Sequence, residues 1–240
     1  GLLPLLQPLM SEPPSSKAVL PGGAVVHQSP GRETTTDTLL LGLWADPPED
    51  ALVCELGCGS AAASAVAALR HPGRSWVCVD RDGGELVLAR RNLELAGCSA
   101  GVLCCDVARV PAALSAGSAD LVIMNPPYRE SGSGRRSPKP GRAASRHGDA
   151  LCVPQFVRAA EHLLAAGGRL LMVGMAAALP GMILAVRAYG LSASLIQPVG
   201  ASNAPAALTL LEARRSGGEL KLLPARSAEE LISLLLRRER

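Results

Sequence analysis

A glycine loop and an aspartate that follows it have the residue types needed to bind a nucleotide-like ligand. Gly57 and Gly59 lie in the run ELGCGSA, where glycine allows a tight turn and a close approach of the backbone to a ligand. Asp80 comes 21 residues after Gly59 and ends an apolar run, so its carboxylate can accept hydrogen bonds from both hydroxyls of a ribose. The alternative is a solvated turn aspartate, since DRDGG is also typical of a turn. Ala62 occupies the place of the third glycine of a dinucleotide fingerprint, which makes hydride transfer the weaker interpretation.

Four polar side chains each follow a short apolar run of the chain. They are Glu55, Asp80, Asp106 and Asn125. Short apolar runs that alternate with helix-forming segments predict parallel strands buried on both faces. Parallel strands of a doubly wound sheet end at one edge, and ligands bind at that edge near a topological switch point. The sequence therefore predicts one ligand site at the ends of four strands.

The elements that must position this site alternate along most of the chain. From Ala51 onward, strand-like and helix-like segments alternate, which predicts a doubly wound α/β sheet of seven mostly parallel strands. The last two strand-like runs, SASLIQPV and AALTLLEARR, are predicted to form an antiparallel edge. A helix is predicted to start near Thr36 or Asp37, and another to start with a capping box from Ser227 to Glu230.

The domain organisation is predicted from proline content and from glycine positions. Residues 1–24 are proline-rich and predicted to be an irregular lead-in, followed by one domain over 25–240. Its cofactor-binding half covers about 50–120, and the segment 125–149 holds the run NPPY and a basic loop. The run VPQFVRAAEHLLAAGG predicts a helix that stops at its two glycines, with the strand RLLMVG after them.

Composition narrows the classes of protein. The chain has 240 residues, of which 48% are hydrophobic and 2% aromatic, with a net charge of +3. Its apolar runs are shorter than the roughly 20 residues that a membrane helix needs. The seven cysteines form no C-x-x-C pair and the four histidines are scattered, so we expect reduced thiols, no metal site and a cytoplasmic protein. The oligomeric state, monomer or homodimer, stays open.

Four motifs together carry a family resemblance. ELGCGSA, VCVD, LCCD and DLVIMNPPY, in this order, resemble the class I methyltransferases that use S-adenosyl-L-methionine, with a Rossmann-like fold. The resemblance extends from about Gln28 to Arg215. It implies that Glu55 and the glycines flank the methionine end of the cofactor, that Asp80 holds its ribose and that Asp106 meets its adenine. It also assigns cofactor contacts to neighbouring or facing residues, which are Asp37, Cys58, Arg81, Val107 and Asn125.

The run Asn125-Pro126-Pro127-Tyr128 resembles the catalytic motif of amino methyltransferases. An amine on an sp2 carbon is a poor nucleophile because its lone pair is delocalised. The side-chain oxygen of Asn125 and the carbonyl of Pro126 could each accept one N–H of that amine, which would favour electron density on nitrogen. Pro126 and Pro127 stiffen the loop. Tyr128 could stack on a planar substrate.

The substrate is suggested by a basic loop directly after this motif. Residues 129–147 contain six Arg or Lys side chains and one Glu, a net charge of +5, which suits phosphate contacts although a solvated insertion is equally compatible. NPPY followed by SPKPGRAASRH is similar to the bacterial valine-tRNA adenine-N6 methyltransferases, and Gln28, Gly31 and Asp37 match that family as well. The resemblance implies a tRNA substrate, modified beside the anticodon. The candidate RNA-binding residues are Arg135, Arg136, Lys139, Arg142 and Arg146.

Three other functions stay open at this point. The release-factor glutamine methyltransferases share Asn-Pro-Pro-Tyr and have a segment similar to RETTTDTLL, although their post-motif loop is less basic. A methyltransferase of another nucleobase amine, in ribosomal RNA or DNA, would use the same motif. A catalytically silent RNA scaffold would bind no cofactor, which intact Asn125, Asp80 and Gly57 argue against.

Overall fold

The computed structural model of the chain describes residues 13–98, 100–127, 152–201, 204–215 and 218–237. Within these ranges ten strands and seven α-helices follow one another. The strands are β1 (Ser16–Val19), β2 (Val25–Gln28), β3 (Leu52–Leu56), β4 (Ser75–Asp80), β5 (Ala100–Cys104), β6 (Ala119–Met124), β7 (Leu164–Met175), β8 (Ser192–Val199), β9 (Leu208–Arg214) and β10 (Lys221–Leu222). The helices are α1 (Thr36–Trp44), α2 (Ala62–Arg70), α3 (Gly83–Leu95), α4 (Val110–Ala113), α5 (Cys152–Leu163), α6 (Leu179–Ala188) and α7 (Ala228–Arg237).

The central sheet has the strand order β10-β8-β9-β7-β6-β3-β4-β5. β9 runs antiparallel to its neighbours β7 and β8, and the other neighbouring pairs are parallel. This confirms the predicted α/β class, the mostly parallel sheet and the antiparallel pairing of the last two long strands. The two-residue strand β10 makes the sheet eight-stranded where seven strands were predicted, because so short a segment has no apolar alternation to reveal it.

The strand order creates a switch point at the centre of the sheet. From β3 the chain moves to β4 and β5 on one side, and it then returns to place β6 on the other side of β3. The carboxyl ends of β3 and β6 therefore flank the crevice where doubly wound sheets bind ligands. Gly57 follows β3 and Asn125 follows β6, so both lie at this crevice.

Helices cover the sheet on both faces, and the core follows the alternation of the strands. In β6, Leu121 and Ile123 pack with the cluster that includes α1, α2 and α7. Val122 and Met124 point the other way, into the cluster that includes α5 and α6. All four side chains have 0% exposure, which is why the strand is a continuous apolar run.

Two segments differ from the prediction. Ser16–Val19, within the segment predicted to be irregular, is a strand that pairs antiparallel with β2. The glycines predicted to stop a helix, Gly167 and Gly168, lie inside β7 instead, because α5 already ends at Leu163. A Cβ on Gly168 would approach the carbonyl oxygen of Ala119 to 3.0 Å, at a register shift between β6 and β7. Glycine here permits a close backbone approach at an irregular strand pairing.

The predicted helix ends agree with the structure at two places. α1 begins at Thr36, as its threonine-rich start predicts. At α7, the hydroxyl of Ser227 accepts from the amide of Glu230 at 3.1 Å, and the amide of Ser227 donates to the Glu230 carboxylate at 3.0 Å, so the capping box is formed. None of the helices in the described part of the chain is long and apolar enough to span a membrane.

Candidate active site

The glycine loop, Gly57 to Ala61, connects β3 to α2 and is tied to β4. The amides of Gly57 and Cys58 both donate to the carbonyl oxygen of Val79, at 2.8 and 3.0 Å. Gly57 and Gly59 have φ of +70° and +52°, the left-handed region that glycine adopts without steric cost. Ala61, at the N-terminus of α2, also has φ +56°, which is strained backbone for a residue with a Cβ.

The two glycines serve different contacts. A Cβ on Gly57 would lie 2.8 Å from Cε1 of Phe156 in α5, so the lack of a side chain at Gly57 makes room for the Phe156 ring. A Cβ on Gly59 would have the Oε2 of Glu85 as its nearest neighbour, at 3.9 Å, so Gly59 borders open space. Its backbone is therefore open to close approach, and ligand binding by this loop stays a prediction.

Asp80 ends β4 and fixes the loops on either side of it. Its Oδ2 accepts from the amide of Gly59 at 2.8 Å and its Oδ1 accepts from the amide of Asp82 at 2.9 Å. Each carboxylate oxygen can accept a further hydrogen bond, so these contacts leave capacity for a ligand hydroxyl. Asp80 is thus more than a solvated turn residue, because it holds the glycine loop in place.

Glu55 lies beneath the glycine loop and is 3% exposed. Its Oε2 accepts from the amide of Ser64 at 3.1 Å and also from the Ser64 hydroxyl. Burial raises the pKa of Glu55 to about 7, against the opposing effect of the Ser64 hydrogen bonds. The carboxyl group therefore changes charge near neutral pH, directly under the loop where the family resemblance predicts the methionine end of a cofactor.

The remaining predicted cofactor residues lie at the same edge of the sheet. Asp106 follows β5, and its Oδ1 accepts from the amide of Ala108 at 2.9 Å, which starts a 3₁₀ turn at Val107. Arg81 follows β4, and its carbonyl oxygen accepts from the thiol of Cys104 at 3.6 Å. Cys58 is buried in the glycine loop, and burial raises the pKa of its thiol well above the ordinary value. These contacts put the residues at one edge, but their cofactor contacts stay predictions.

Asn125 follows β6, and its side-chain amide is held by α1. The Nδ2 atom of Asn125 donates to Oδ2 of Asp37 at 3.0 Å and to the hydroxyl of Thr38 at 3.4 Å. Pro126 is buried and Pro127 is exposed. The structure thus brings Asp37, predicted as a cofactor contact, together with Asn125, predicted both as a cofactor contact and as a catalytic residue.

Part of the predicted site lies outside the described residues. Tyr128 and the candidate RNA-binding side chains are in the range 128–151. Those side chains are Arg135, Arg136, Lys139, Arg142 and Arg146. Their roles in stacking and in phosphate binding stay predictions.

The segment between β2 and α1 crosses the glycine-loop side of the molecule. Arg32 forms ion pairs with Asp82 at 3.0 Å and with Glu85 at 3.3 Å, at the start of α3. Gln28 is buried, and its side-chain oxygen accepts from the amide of Thr34 at 2.9 Å. The Gln28-to-Asp37 segment is therefore held to the start of α3 through Arg32 and to Asn125 through Asp37.

Sequence reasoning missed two polar residues that support the site. Asn92 is 0% exposed; its amide nitrogen donates to the carbonyls of His27 and Ser60, both at 2.8 Å, and so ties α3 to β2 and to the glycine loop. Ser64 holds Glu55 from within α2. In the sequence, the one sign that Asn92 could be buried was its place next to Leu93, on the apolar face of the predicted helix. Ser64 had no signal in its alanine-rich helix.

Within the described part of the chain, the His, Cys, Asp and Glu side chains form no cluster of three or more that could hold a metal ion. All seven cysteines lie in that part and are free thiols.

A family model described as "Methyltransferase small domain" matches residues 31–181, which include the glycine loop, the four strand ends and Asn125. The chain belongs to the methyltransferase small domain family. Membership of this family implies S-adenosyl-L-methionine as the methyl donor.

The chain is also similar to named methyltransferases of other organisms. The chain is 30% identical over 141 residues to the tRNA1(Val) (adenine(37)-N6)-methyltransferase of Shewanella halifaxensis, covering 58% of this chain and 56% of that protein. The enzyme of the same name from Shewanella frigidimarina is 28% identical over 170 residues, covering 68% and 67%. The chain therefore spans little more than half the length of the first of these relatives.

A solved structure with the same fold is that of a predicted O-methyltransferase from Agrobacterium tumefaciens. The match has a TM-score of 0.59 and 24% identity, and it covers 80% of this chain and 86% of that one. At this identity the match concerns the fold alone. It confirms the Rossmann-like architecture that the sequence predicted for this chain.

Proposed function

We propose that this chain transfers a methyl group from S-adenosyl-L-methionine to the exocyclic N6 amine of adenine in structured RNA, namely in a tRNA beside the anticodon. The observation that most directly supports methyl transfer to an amine is the hydrogen bonding of Asn125. Among the described residues, the contacts of its amide group run through Nδ2, toward Asp37 and Thr38. With Nδ2 turned toward α1, the oxygen is the end of the amide that would accept an N–H from a substrate at the switch-point crevice.

The residues at this crevice fit the proposed cofactor. Gly59 borders open space where a ligand can approach the backbone, and Asp80 has acceptor capacity beyond its two loop contacts. In this arrangement Asp80 would bind the ribose hydroxyls and Asp106 the adenine amino group, with Glu55 under the methionine end. When bound, the cofactor supplies a methyl group on a positively charged sulfur.

The chain's own contribution to methyl transfer is the positioning of the amine. Asn125 Oδ1 accepts one N–H and the carbonyl of Pro126 accepts the other, which favours lone-pair density on the amine nitrogen and aims it at the methyl group. Pro126 is buried, its ring fixes φ, and the following Pro127 restricts ψ, so the direction of the Pro126 carbonyl is limited. After transfer, the methylated amine is a strong acid and loses its proton without a dedicated base.

The RNA substrate is proposed from sequence and relatives. The basic residues after Asn-Pro-Pro-Tyr would contact phosphates, and Tyr128 would stack on the adenine. The relatives from two Shewanella species are named for adenine 37 of tRNA1(Val). Transfer to glutamine of a release factor, or to another nucleobase amine, is the alternative for the same motif.

The test offers both acceptor classes to one enzyme preparation. The chain is incubated with radiolabelled S-adenosyl-L-methionine and either tRNA from a strain that lacks this modification or a purified release factor. We expect label in tRNA that digests to N6-methyladenosine. Label in the release factor would assign the reaction to glutamine. Label in a different base of the tRNA would mean that adenine is not the methylated nucleobase.

The substitution Asn125→Ala tests the proposed catalytic role within this assay. It removes one of the two amine acceptors, so we expect kcat to fall by about 10²- to 10³-fold, as when an electrostatic contact to the reacting group is lost. Because Asp80 and the glycine loop are untouched, the Kd for the cofactor, measured by calorimetry, should stay within about 2-fold. An equal loss of turnover and of cofactor affinity would contradict the assigned role.

A further inference from the structure

The contact between Asp37 and Asn125 joins two segments that are 88 residues apart in sequence. Asp37 lies in the first turn of α1, and Asn125 directly follows β6. The Oδ2 atom of Asp37 accepts from Nδ2 of Asn125 at 3.0 Å, while its Oδ1 accepts from the amide of Thr38 at 3.0 Å. Both carboxylate oxygens of Asp37 are therefore fixed, one by its own helix and one by Asn125.

This contact decides which end of the Asn125 amide faces the crevice. A carboxylate can only accept hydrogen bonds, so the nitrogen end of the amide must face Asp37. A rotation of the amide by half a turn would put its oxygen against the carboxylate, where two acceptors repel. The carboxylate thus excludes the orientation in which Asn125 would present N–H groups, which cannot accept from an amine.

The same contact changes the electron distribution of the amide. A hydrogen bond from Nδ2 to a charged carboxylate is stronger than one to a neutral acceptor. It polarises the amide toward its oxygen, because neighbouring hydrogen bonds in a chain reinforce one another. The oxygen of Asn125 becomes the better acceptor for an amine N–H.

α1 is a rigid base for this contact. Leu40, Leu41 and Leu43 of this helix are at most 1% exposed and pack in the core cluster on one face of the sheet. A carboxylate in the first turn of a helix is also stabilised by the positive end of the helix dipole. Asp37 is therefore held in place by packing and by the helix, independently of any ligand.

We propose that Asp37 is a positioning residue for methyl transfer, which orients and polarises the amide of Asn125 so that its oxygen accepts the substrate amine. This proposal rests on the proposed function, since it needs an amine acceptor at Asn125. It holds for adenine or glutamine equally, because the step that it describes concerns only the N–H group.

The kinetic test compares three variants. Asp37→Ala removes the orienting acceptor, so we expect kcat to fall by about 10- to 100-fold with KM for tRNA within about 2-fold, as expected when a reacting group is misplaced but binding is kept. Asp37→Asn has only one oxygen for the two donors, the amide of Thr38 and Nδ2 of Asn125, and its NH2 group can donate to a flipped Asn125 amide, so it should recover only part of the lost kcat. Asp120→Ala is the matched control: Asp120 accepts from the amide of Leu52 at 2.9 Å at the opposite edge of the sheet, and its loss should leave kcat unchanged.

A double substitution separates positioning from a general structural effect. If Asp37 acts through Asn125, then Asp37→Ala should lower kcat no further in a protein that already carries Asn125→Ala. An additional loss of 10-fold or more in the double variant would overturn the proposal. So would a kcat of Asp37→Ala that equals the wild-type value.

A spectroscopic readout is independent of the substrate. The chain has three asparagines, Asn92, Asn125 and Asn203, so selective ¹⁵N labelling gives three side-chain amide pairs in an NMR spectrum. Asp37→Ala should shift the Asn125 pair and leave the Asn92 pair in place, since Asn92 donates to His27 and Ser60 instead. An unmoved Asn125 pair would contradict the contact itself.

These readouts keep the two proposals apart. If label appears in a release factor instead of tRNA, the adenine assignment fails, and the kinetic comparison on glutamine still decides the role of Asp37. If label appears in tRNA and Asp37→Ala leaves kcat unchanged, the function stands and the positioning role is wrong.

Discussion

At the scale of single residues, Glu55 has a carboxyl group whose protonation the fold controls. It is buried under the glycine loop, and burial raises its pKa to about 7 from an ordinary value of 4.5. Ser64 donates two hydrogen bonds to it, which favour the ionised form but do not offset burial. The free protein is therefore destabilised when this group must ionise.

This pKa shift predicts how stability depends on pH. Below about pH 4.5 the Glu55 carboxyl is protonated in the folded and in the unfolded protein, so it does not lower the free energy of unfolding. Between about pH 4.5 and 7 the carboxyl ionises in the unfolded protein first, so the free energy of unfolding falls as pH rises. The full effect above pH 7 is about 3 kcal/mol. Glu55→Gln, which keeps an oxygen to accept from Ser64, should gain about 3 kcal/mol over wild type between pH 4 and pH 8 in urea unfolding of the free protein. A difference that does not change with pH would contradict the raised pKa.

At the scale of elements, the glycine loop and α5 are packed directly on each other. Gly57 has φ +70° and no space for a Cβ, because Phe156 of α5 is 7% exposed and lies against it. Gly59 has φ +52° but borders open space. The loop is therefore bounded by a helix on one side and by the crevice on the other.

Alanine at these two glycines should have different effects. Gly59→Ala should cost about 1–2 kcal/mol, from its left-handed backbone alone. Gly57→Ala should cost about 1–3 kcal/mol more, from overpacking against Phe156. Unfolding of both variants in urea measures the difference.

Phe156→Leu provides the check on the cause, because leucine lacks the Cε1 and Cζ atoms that meet the new methyl group. In that background the two alanine variants should differ by less. An unchanged difference would show that Phe156 is not responsible.

At the scale of the whole molecule, α7 returns the end of the described chain to the half that carries the site. Leu231 and Leu235 are each 3% exposed and join the core cluster that includes α1 and α2. Arg70 of α2 donates to the carbonyl of Leu235 at 3.1 Å and to the carbonyl of Leu43 in α1. The helix therefore closes the face of the sheet on which α1 presents Asp37.

Neighbouring leucines of α7 give a matched comparison. Leu235→Ala should lower the free energy of unfolding by about 2–5 kcal/mol, because it leaves a cavity in the core. Leu234 is 36% exposed, so its replacement by Ala should cost less than about 1 kcal/mol. Thermal and urea unfolding measure both. Equal effects would mean that α7 does not belong to the core.

The sequence by itself was sufficient for features that depend on neighbours in the chain. Short apolar runs that end on or before Glu55, Asp80, Asp106 and Asn125 predicted four strands with their ends at one edge, because an apolar run and its polar end are local features of the chain. The capping box of α7 was predicted for the same reason. Burial on both faces was not decided locally: β5 is an edge strand, and none of its residues is fully buried. The strand β10 was missed, and Gly167 and Gly168 were assigned to the end of a helix instead of to β7. Both segments are extended because they pair with neighbouring strands, which the local sequence does not reveal.

The tertiary structure alone decided which polar groups meet. Asp37 reaches Asn125 across 88 residues, Asn92 reaches His27 across 65, and Ser64 holds Glu55 from a separate helix. No spacing in the sequence encodes these pairs, since they depend on how helices dock on the sheet. The residue types of the site can therefore be read from the chain, whereas the orientation of the Asn125 amide follows from the docking of the start of α1 beside the residue that follows β6.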